Sequence, residues 1–215
     1  MQWGENLTEY GDMNLDQYRD ALASKSPTPG GGSAAAVALS QGAALVVMVC
    51  NLTEGKDKWS DGWGAALQSR VLAEPLLERG YELAFEDAHS FDDVMTAFSM
   101  PKDDESQIQI RKNAIREGTI KAAMVPMETA NLAFTLLESL PKLAQFGNAN
   151  AVTDVGVAGL LISAACKGAL FNVEINLLSI NNPDESLQLE LEQLKIRCSE
   201  VSRELMRAVN DRMHA

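Results

Sequence analysis

Apolar residues recur along this chain at helical intervals, and nowhere do they alternate between regularly spaced turns as strands would require. Leu15, Tyr18 and Leu22 predict a short first helix behind a polar arm of residues 1–13. The breaker cluster Ser26-Pro27-Thr28-Pro29-Gly30-Gly31-Gly32 ends it, and the uncharged run from Ser33 to Thr53 predicts a second helix. Residues 54–64 read as a connection, and the apolar pattern from Leu67 to Phe98 predicts a third helix kinked or delayed by Pro75. Met100-Pro101-Lys102-Asp103 stops it and offers Asp103 as the cap of a fourth helix, from about 104 to 140, with a kink at Pro126. Behind the turn Gly147-Asn148-Ala149-Asn150, Val152 to Ile180 is again almost chargeless and predicts another central helix. Asn181 to Asp184 ends that helix, after which Leu187, Leu191, Leu194, Cys198, Val201, Leu205 and Val209 step by 4, 3, 4, 3, 4 and 4, an amphipathic period.

These elements predict one all-α domain over residues 14–215, a helical bundle with two nearly uncharged central helices and amphipathic ones outside. The Ser33–Thr53 run is long enough to raise a membrane span, but Ser33, Ser40, Gln41, Gly42 and Asn51 interrupt it. Its small residues suit a helix buried among helices. Two such helices carry more apolar surface than a monomer of this size covers conveniently, so a homodimer is expected and a membrane partner is not.

At 215 residues, 46% hydrophobic and 22% charged, the chain has the composition of an ordinary globular domain. Its net charge of −12 repels nucleic acid, so no nucleic-acid partner is expected, and an anionic ligand would need a strong local donor site. Cys50, Cys166 and Cys198 are odd in number and lie in apolar stretches, which suits reduced core thiols and a cytoplasmic setting. The first residues carry Glu5 and Glu9 and lack the basic and apolar regions of a secretory leader, so none is expected.

Candidate chemistry is sparse. Pro29-Gly30-Gly31-Gly32-Ser33 leads into the uncharged helix, where free N–H groups and a partial positive charge would favour an anion. A tight turn with a serine cap accounts for the run equally well. No strand precedes it and no phosphate-loop lysine follows the glycines. With only His89 and His214, a histidine metal site or nucleophilic triad has little to draw on, and no metal site is expected; His89, in an acidic segment, reads as a surface residue. Acid–base work then falls to carboxylates. Asp154 stands alone in an apolar stretch and is either a shifted catalytic acid or a helix cap, while Asp87 and Asp92 resemble an ordinary acidic face. Lys56, near Lys58, could hold an anionic tail or be soluble surface. Asn172 and Asn176 share one helical face and require partners, whether a ligand, water or another helix.

Five ordered segments then give a resemblance: Pro27 to Ala36, Met48 to Lys56, Asp92 to Lys102, Gly147 to Asp154, and Asn172 to Asn176. With these, the chain resembles the formiminotetrahydrofolate cyclodeaminase and methenyltetrahydrofolate cyclohydrolase family over nearly its whole length. The resemblance implies an all-helical homodimer acting on a tetrahydrofolate derivative, with no tightly bound cofactor. It implies Asp154, Asp87 and Lys56 as catalytic candidates, and a substrate-binding edge of Pro29, Gly30, Gly31, Gly32, Ser33, Asn148, Asn150, Asn172 and Asn176. Hydrolysis of 5,10-methenyltetrahydrofolate to 10-formyltetrahydrofolate is the first expected activity. Closure of 5-formiminotetrahydrofolate with loss of ammonia is the alternative, and a non-catalytic folate-binding or scaffold dimer is a third. Thr153 stands where the family has serine, which conserves a hydroxyl, and Trp59 to Tyr81 departs from the family pattern, which bears on local pocket shape and leaves room for the third reading.

Overall fold

The computed structural model describes residues 10–180 and 182–215. Most of the expected arm at 1–13, and Asn181, lie outside the described residues. Seven helices follow in chain order: α1 (Leu15–Leu22), α2 (Gly31–Thr53), α3 (Trp63–Ala73), α4 (Leu76–Ser99), α5 (Glu105–Phe146), α6 (Val152–Leu178) and α7 (Glu185–Met213). Single 3-10 segments at Asp57–Gly62 and Ala149–Ala151 lead into α3 and α6. The bundle is all-α, as its periodicity predicts.

Local chemistry sets the boundaries. Asn14 and Gln17 form a reciprocal capping box at the start of α1. Pro75 does more than kink the third predicted helix: it separates α3 from α4. Asp104, one residue beyond the expected Asp103, caps α5 through Gln107 N. Pro126 and Pro141 both sit inside α5, which continues to Phe146 because packing on α6 and α7 outweighs the lost backbone bonds. Within α1 only Tyr18 packs well, since Leu15 and Leu22 are exposed; its apolar period describes a weaker face than expected.

The centre is the pair α2 and α6. Gly168 lies against Ala35, Gly42 against Ile162 and Gly31 near Asn172, a register that runs the two helices antiparallel. Leu39, Val46, Val49, Val155, Ile162 and Leu170 are 0–1% exposed between the elements, and each such side chain contributes roughly 1.5–3 kcal/mol on burial. Helix α4 packs on the other side of α2, with Gly80 against Ala36 and Ser40, while α5 and α7 close the bundle over α6. Both α2 and α6 are apolar and long enough to cross a membrane, yet 56% of each most apolar window is buried inside the bundle. Cys50, Cys166 and Cys198 are free and buried, as core thiols.

The α2–α4 crossing depends on the absence of a side chain at Gly80, where a Cβ would stand 2.7 Å from Ser40 Cβ and 2.8 Å from the Ala36 carbonyl oxygen. Gly64 in α3 has nothing within 4 Å. Gly80→Ala should therefore lower stability by about 1–3 kcal/mol despite its better helix propensity. Gly64→Ala should raise it by about 0.5–1 kcal/mol. Urea midpoints at constant m-value report both, and a stabilised Gly80→Ala would contradict the packing described.

Candidate active site

A cavity of about 340 Å³ opens where the start of α2 meets α4, α5 and α6. Gly30, Gly31 and Gly32 from α2, Asp87 and Ser90 from α4, and Asn172 and Asn176 from α6 line it. Pro27, Thr28, Phe91, Val94, Ala122 and Ile175 complete the wall. A larger cleft of about 650 Å³ between the ends of α5 and α7 contains none of the sequence candidates.

The glycine run acts differently from either sequence reading. Gly30 is the helix cap, without a side-chain bond, and Ser33 lies inside the first turn. The carboxylate that occupies the helix N-terminus is Asp87, delivered from α4. Ser33 Oγ donates to Asp87 Oδ2 at 3.0 Å, and the Ser33 backbone N–H bonds to the same group. A Cβ at Gly32 would overlap the Asp87 carboxylate, so this glycine is what permits the approach. The anion at the glycine run thus belongs to the protein itself, so an anionic part of a substrate has no vacant helix terminus to bind there. Pro29 is buried in the turn that precedes it and does not line the cavity.

Two opposing effects act on Asp87. Burial disfavours its charge, while the two bonds from Ser33 favour it; the net direction of its pKa is upward from the ordinary 3.8. Burial of this group outweighs what the helix terminus and Ser33 return. Asp87 is therefore a carboxyl poised to accept and release a proton beside a cavity, although the sequence offers only an acidic helix face around it. The segment that carries it is held by Arg79, which pairs with Glu86 at 2.6 Å on α4 and Glu128 at 2.8 Å on α5.

Asn172 and Asn176 find their partners in the protein, which fixes their amides at the cavity wall. Asn172 Nδ2 donates to the Gly168 carbonyl at 2.9 Å, and Asn176 Nδ2 donates to the Ala122 carbonyl of α5 at 2.8 Å. Each amide thereby holds its own carbonyl oxygen in place as an acceptor.

Lys56, Asn148, Asn150 and Asp154 do not join this cavity within the chain. They gather at the other end of the bundle, where α2 finishes and α6 begins. Asp154 and Asn172 are 18 residues apart on one straight helix, roughly 27 Å. Asn148 is structural: it donates to the Leu52 carbonyl at 2.8 Å, accepts from Asn150 N at 3.0 Å, and its backbone N–H bonds Thr53 Oγ1 at 3.1 Å. Asn150 and Lys56 are exposed, and Asp154 is partly exposed in the first turn of α6. Asp92 is exposed on α4 and does not line the cavity. His89 is not a surface residue as expected: it is partly buried, stacked on Phe85 at 3.8 Å with Nδ1 3.0 Å from the Phe85 carbonyl. Within residues 59–81, Trp63 and Ala66 lie beside the C-terminal end of α2 and Leu77 to Tyr81 beside its N-terminal half, and none of them lines the cavity. Ser90, Phe91 and Val94 escaped sequence reading, since a helical step from Asp87 identifies them only once its face is known.

With this geometry in view, comparison with known proteins is decisive. The formiminotransferase-cyclodeaminase family matches residues 14–195. The chain belongs to this family. It is 32% identical over 207 residues to a methenyltetrahydrofolate cyclohydrolase of Methylorubrum extorquens, covering 95% of this chain and 99% of that one. It is 34% identical to the formimidoyltransferase-cyclodeaminase of Gallus gallus, of which it spans 35%. In three dimensions it matches the crystal structure of a formiminotetrahydrofolate cyclodeaminase from Thermotoga maritima with a TM-score of 0.83 and 27% identity, covering 94% of this chain and 98% of that one.

Because Asp87 carries a raised pKa, its contribution to stability is fully present below the unfolded value near 3.8 and is lost as pH rises through the folded value. Asp87→Asn keeps an acceptor for Ser33 without the buried charge. The variant should be at least as stable as the parent at neutral pH, and the difference should shrink toward zero as pH falls toward 4. Thermal unfolding between pH 3.5 and 8 measures this, and a variant markedly less stable at pH 7 would refute the balance of effects described.

Proposed function

We propose that this protein is a methenyltetrahydrofolate cyclohydrolase, hydrolysing 5,10-methenyltetrahydrofolate to 10-formyltetrahydrofolate. The observation that carries the reading is end-to-end similarity to a cyclohydrolase of matching length, joined to a cavity with one poised carboxyl at its wall.

The chemistry fits the residues. Water adds to the cationic methenyl carbon and loses one proton; the C–N5 bond of the resulting carbinol breaks as N5 takes up a proton, and the hydroxyl gives its own proton to solvent as the formyl C=O forms. Asp87 is the group placed to accept the first of these protons and return it, and the bond from Ser33 holds its carboxylate in one orientation. Asn172 and Asn176 offer fixed carbonyl acceptors to the N–H groups of a pterin. A cavity of about 340 Å³ accommodates the pterin and its one-carbon bridge, while the remainder of the folate extends past Phe91 and Val94 toward solvent. Water addition, C–N cleavage and proton transfer involve no change of oxidation state, so side chains and water are proposed to suffice without a tightly bound cofactor. Buried thiols support a cytoplasmic setting, and the net charge of −12 supports the absence of a nucleic-acid partner.

The chain is proposed to act as a homodimer, on the strength of the apolar face that α6 leaves uncovered. The second reading, formiminotetrahydrofolate cyclodeaminase, is supported by the Thermotoga neighbour, which is also matched over 98% of its length; free-standing length therefore does not separate the two reactions. Both pass through a tetrahedral carbon between two nitrogens, and the same carboxyl would serve. The scaffold reading loses support, because no residue of the atypical segment 59–81 lines the cavity.

Purified protein should abolish the methenyl absorbance of 5,10-methenyltetrahydrofolate faster than buffer, without releasing ammonia from 5-formiminotetrahydrofolate. Asp87→Asn should lower kcat by ~10²–10⁴-fold. Ammonia release with no methenyl turnover would move the assignment to the cyclodeaminase, and folate binding without either reaction would move it to the scaffold.

A further inference from the structure

The exposed face of α6 is largely apolar, with Thr153 at its start and Lys167 near its middle as the exposed polar residues. Val157, Leu160, Phe171, Ile175 and Leu178 are between 49% and 77% exposed and lie in one stripe along the helix. Together they leave on the order of 600 Å² of apolar side chain uncovered, most of the ~800 Å² per partner that a standard stable interface buries. The stripe carries Thr153, Val157, Leu160 and Ala164 in its first half and Phe171, Ile175 and Leu178 in its second. A second copy laid antiparallel sets Phe171, Ile175 and Leu178 toward Leu160, Val157 and Thr153 and opposes the helix dipoles, whereas a parallel copy stacks each residue on its own twin and aligns the dipoles.

The same antiparallel two-fold has a consequence for the site. Asp154 and Asn172 are 18 residues apart, five full helical turns, and so lie on the same edge of the stripe. A two-fold axis running between the two α6 helices, level with Ala165 at their middle, keeps that edge on one side of the contact and reverses its direction. The first turn of one α6 then stands level with Asn176 of the other, where Ile175, a stripe residue, already forms part of the cavity wall. We propose that the active site is shared between two copies of the chain, with the partner subunit's Asp154 completing the cavity that holds Asp87, Asn172 and Asn176. This rests on the folate reading above for its chemistry. It unites the two groups of candidate residues that a single chain keeps roughly 27 Å apart, and it supplies two carboxylates in different surroundings, one sunk against a helix terminus and one at a helix surface.

Co-expression of two differently tagged copies, one Asp87→Asn and one Asp154→Asn, followed by tandem purification, isolates the mixed dimer. Each variant alone should lose at least ~100-fold in kcat. The mixed dimer contains one site with both substitutions and one with neither, so it should recover about half of the parent activity. A mixed dimer as inactive as the two homodimers, or a fully active Asp154→Asn, would overturn the shared site. A readout independent of turnover uses Asp154→Cys on one copy and Asn176→Cys on the other with a short bismaleimide. Cross-linking in the mixed dimer alone supports the geometry; cross-linking of Asp154→Cys to itself, or a monomer in sedimentation, overturns it. If the cross-link forms and neither folate is turned over, the folate reading fails while the shared cavity stands.

Discussion

The close antiparallel contact of α2 with α6 is the constraint on which everything else in this fold is hung. It requires small residues at the crossing points, because Gly42 meets Ile162 and Gly168 meets Ala35 where larger side chains would force the axes apart. Helix α2 carries no charge, and Asp154, Lys167 and Glu174 of α6 lie off its buried face, so no ionic group of this pair has to be desolvated at the contact. Helix α4 then docks on α2 through Gly80 and α5 lies along α6, and the start of α2 is left as one wall of a cavity rather than a buried end.

That arrangement explains why Asp87 has the character it has. An exposed helix N-terminus attracts an anion, and the fold fills it with a carboxylate from the neighbouring helix instead of leaving it for a ligand. Glycine at position 32 is required for the approach, and Ser33 supplies both bonds. The carboxyl is thereby oriented by the same contacts that lower its proton affinity, while burial acts in the opposite direction and prevails. A group so balanced is suited to passing a proton to and from a reacting centre. The asparagines of α6 are tuned in a parallel way: each uses its amide hydrogen to fix itself to backbone, which sets its oxygen toward whatever enters.

Asparagine at position 148 shows how a residue carried over with a family motif can owe its place to architecture. Its side chain is wholly engaged in joining the end of α2 to the start of α6. The proposed contact between two copies gives the opposite lesson for Asp154, which has no site to act on inside one chain and gains one only in an assembly.

Hydrophobic period, breakers and caps were enough to read six of the helical segments as an all-α bundle with two nearly uncharged members at its centre, because those signals are local; the division of the third at Pro75 came only with the structure. The segments that tie the chain to its family were equally legible, since they are runs of adjacent residues. Sequence could not choose among carboxylates. Asp154 stands out by its apolar neighbours in the chain, whereas Asp87 sits among ordinary acids and becomes special only where α4 carries it 54 residues back to Ser33. Desolvation and hydrogen bonding are properties of what lies nearby in space, and only the tertiary packing of α2 against α4 and α6 decided that.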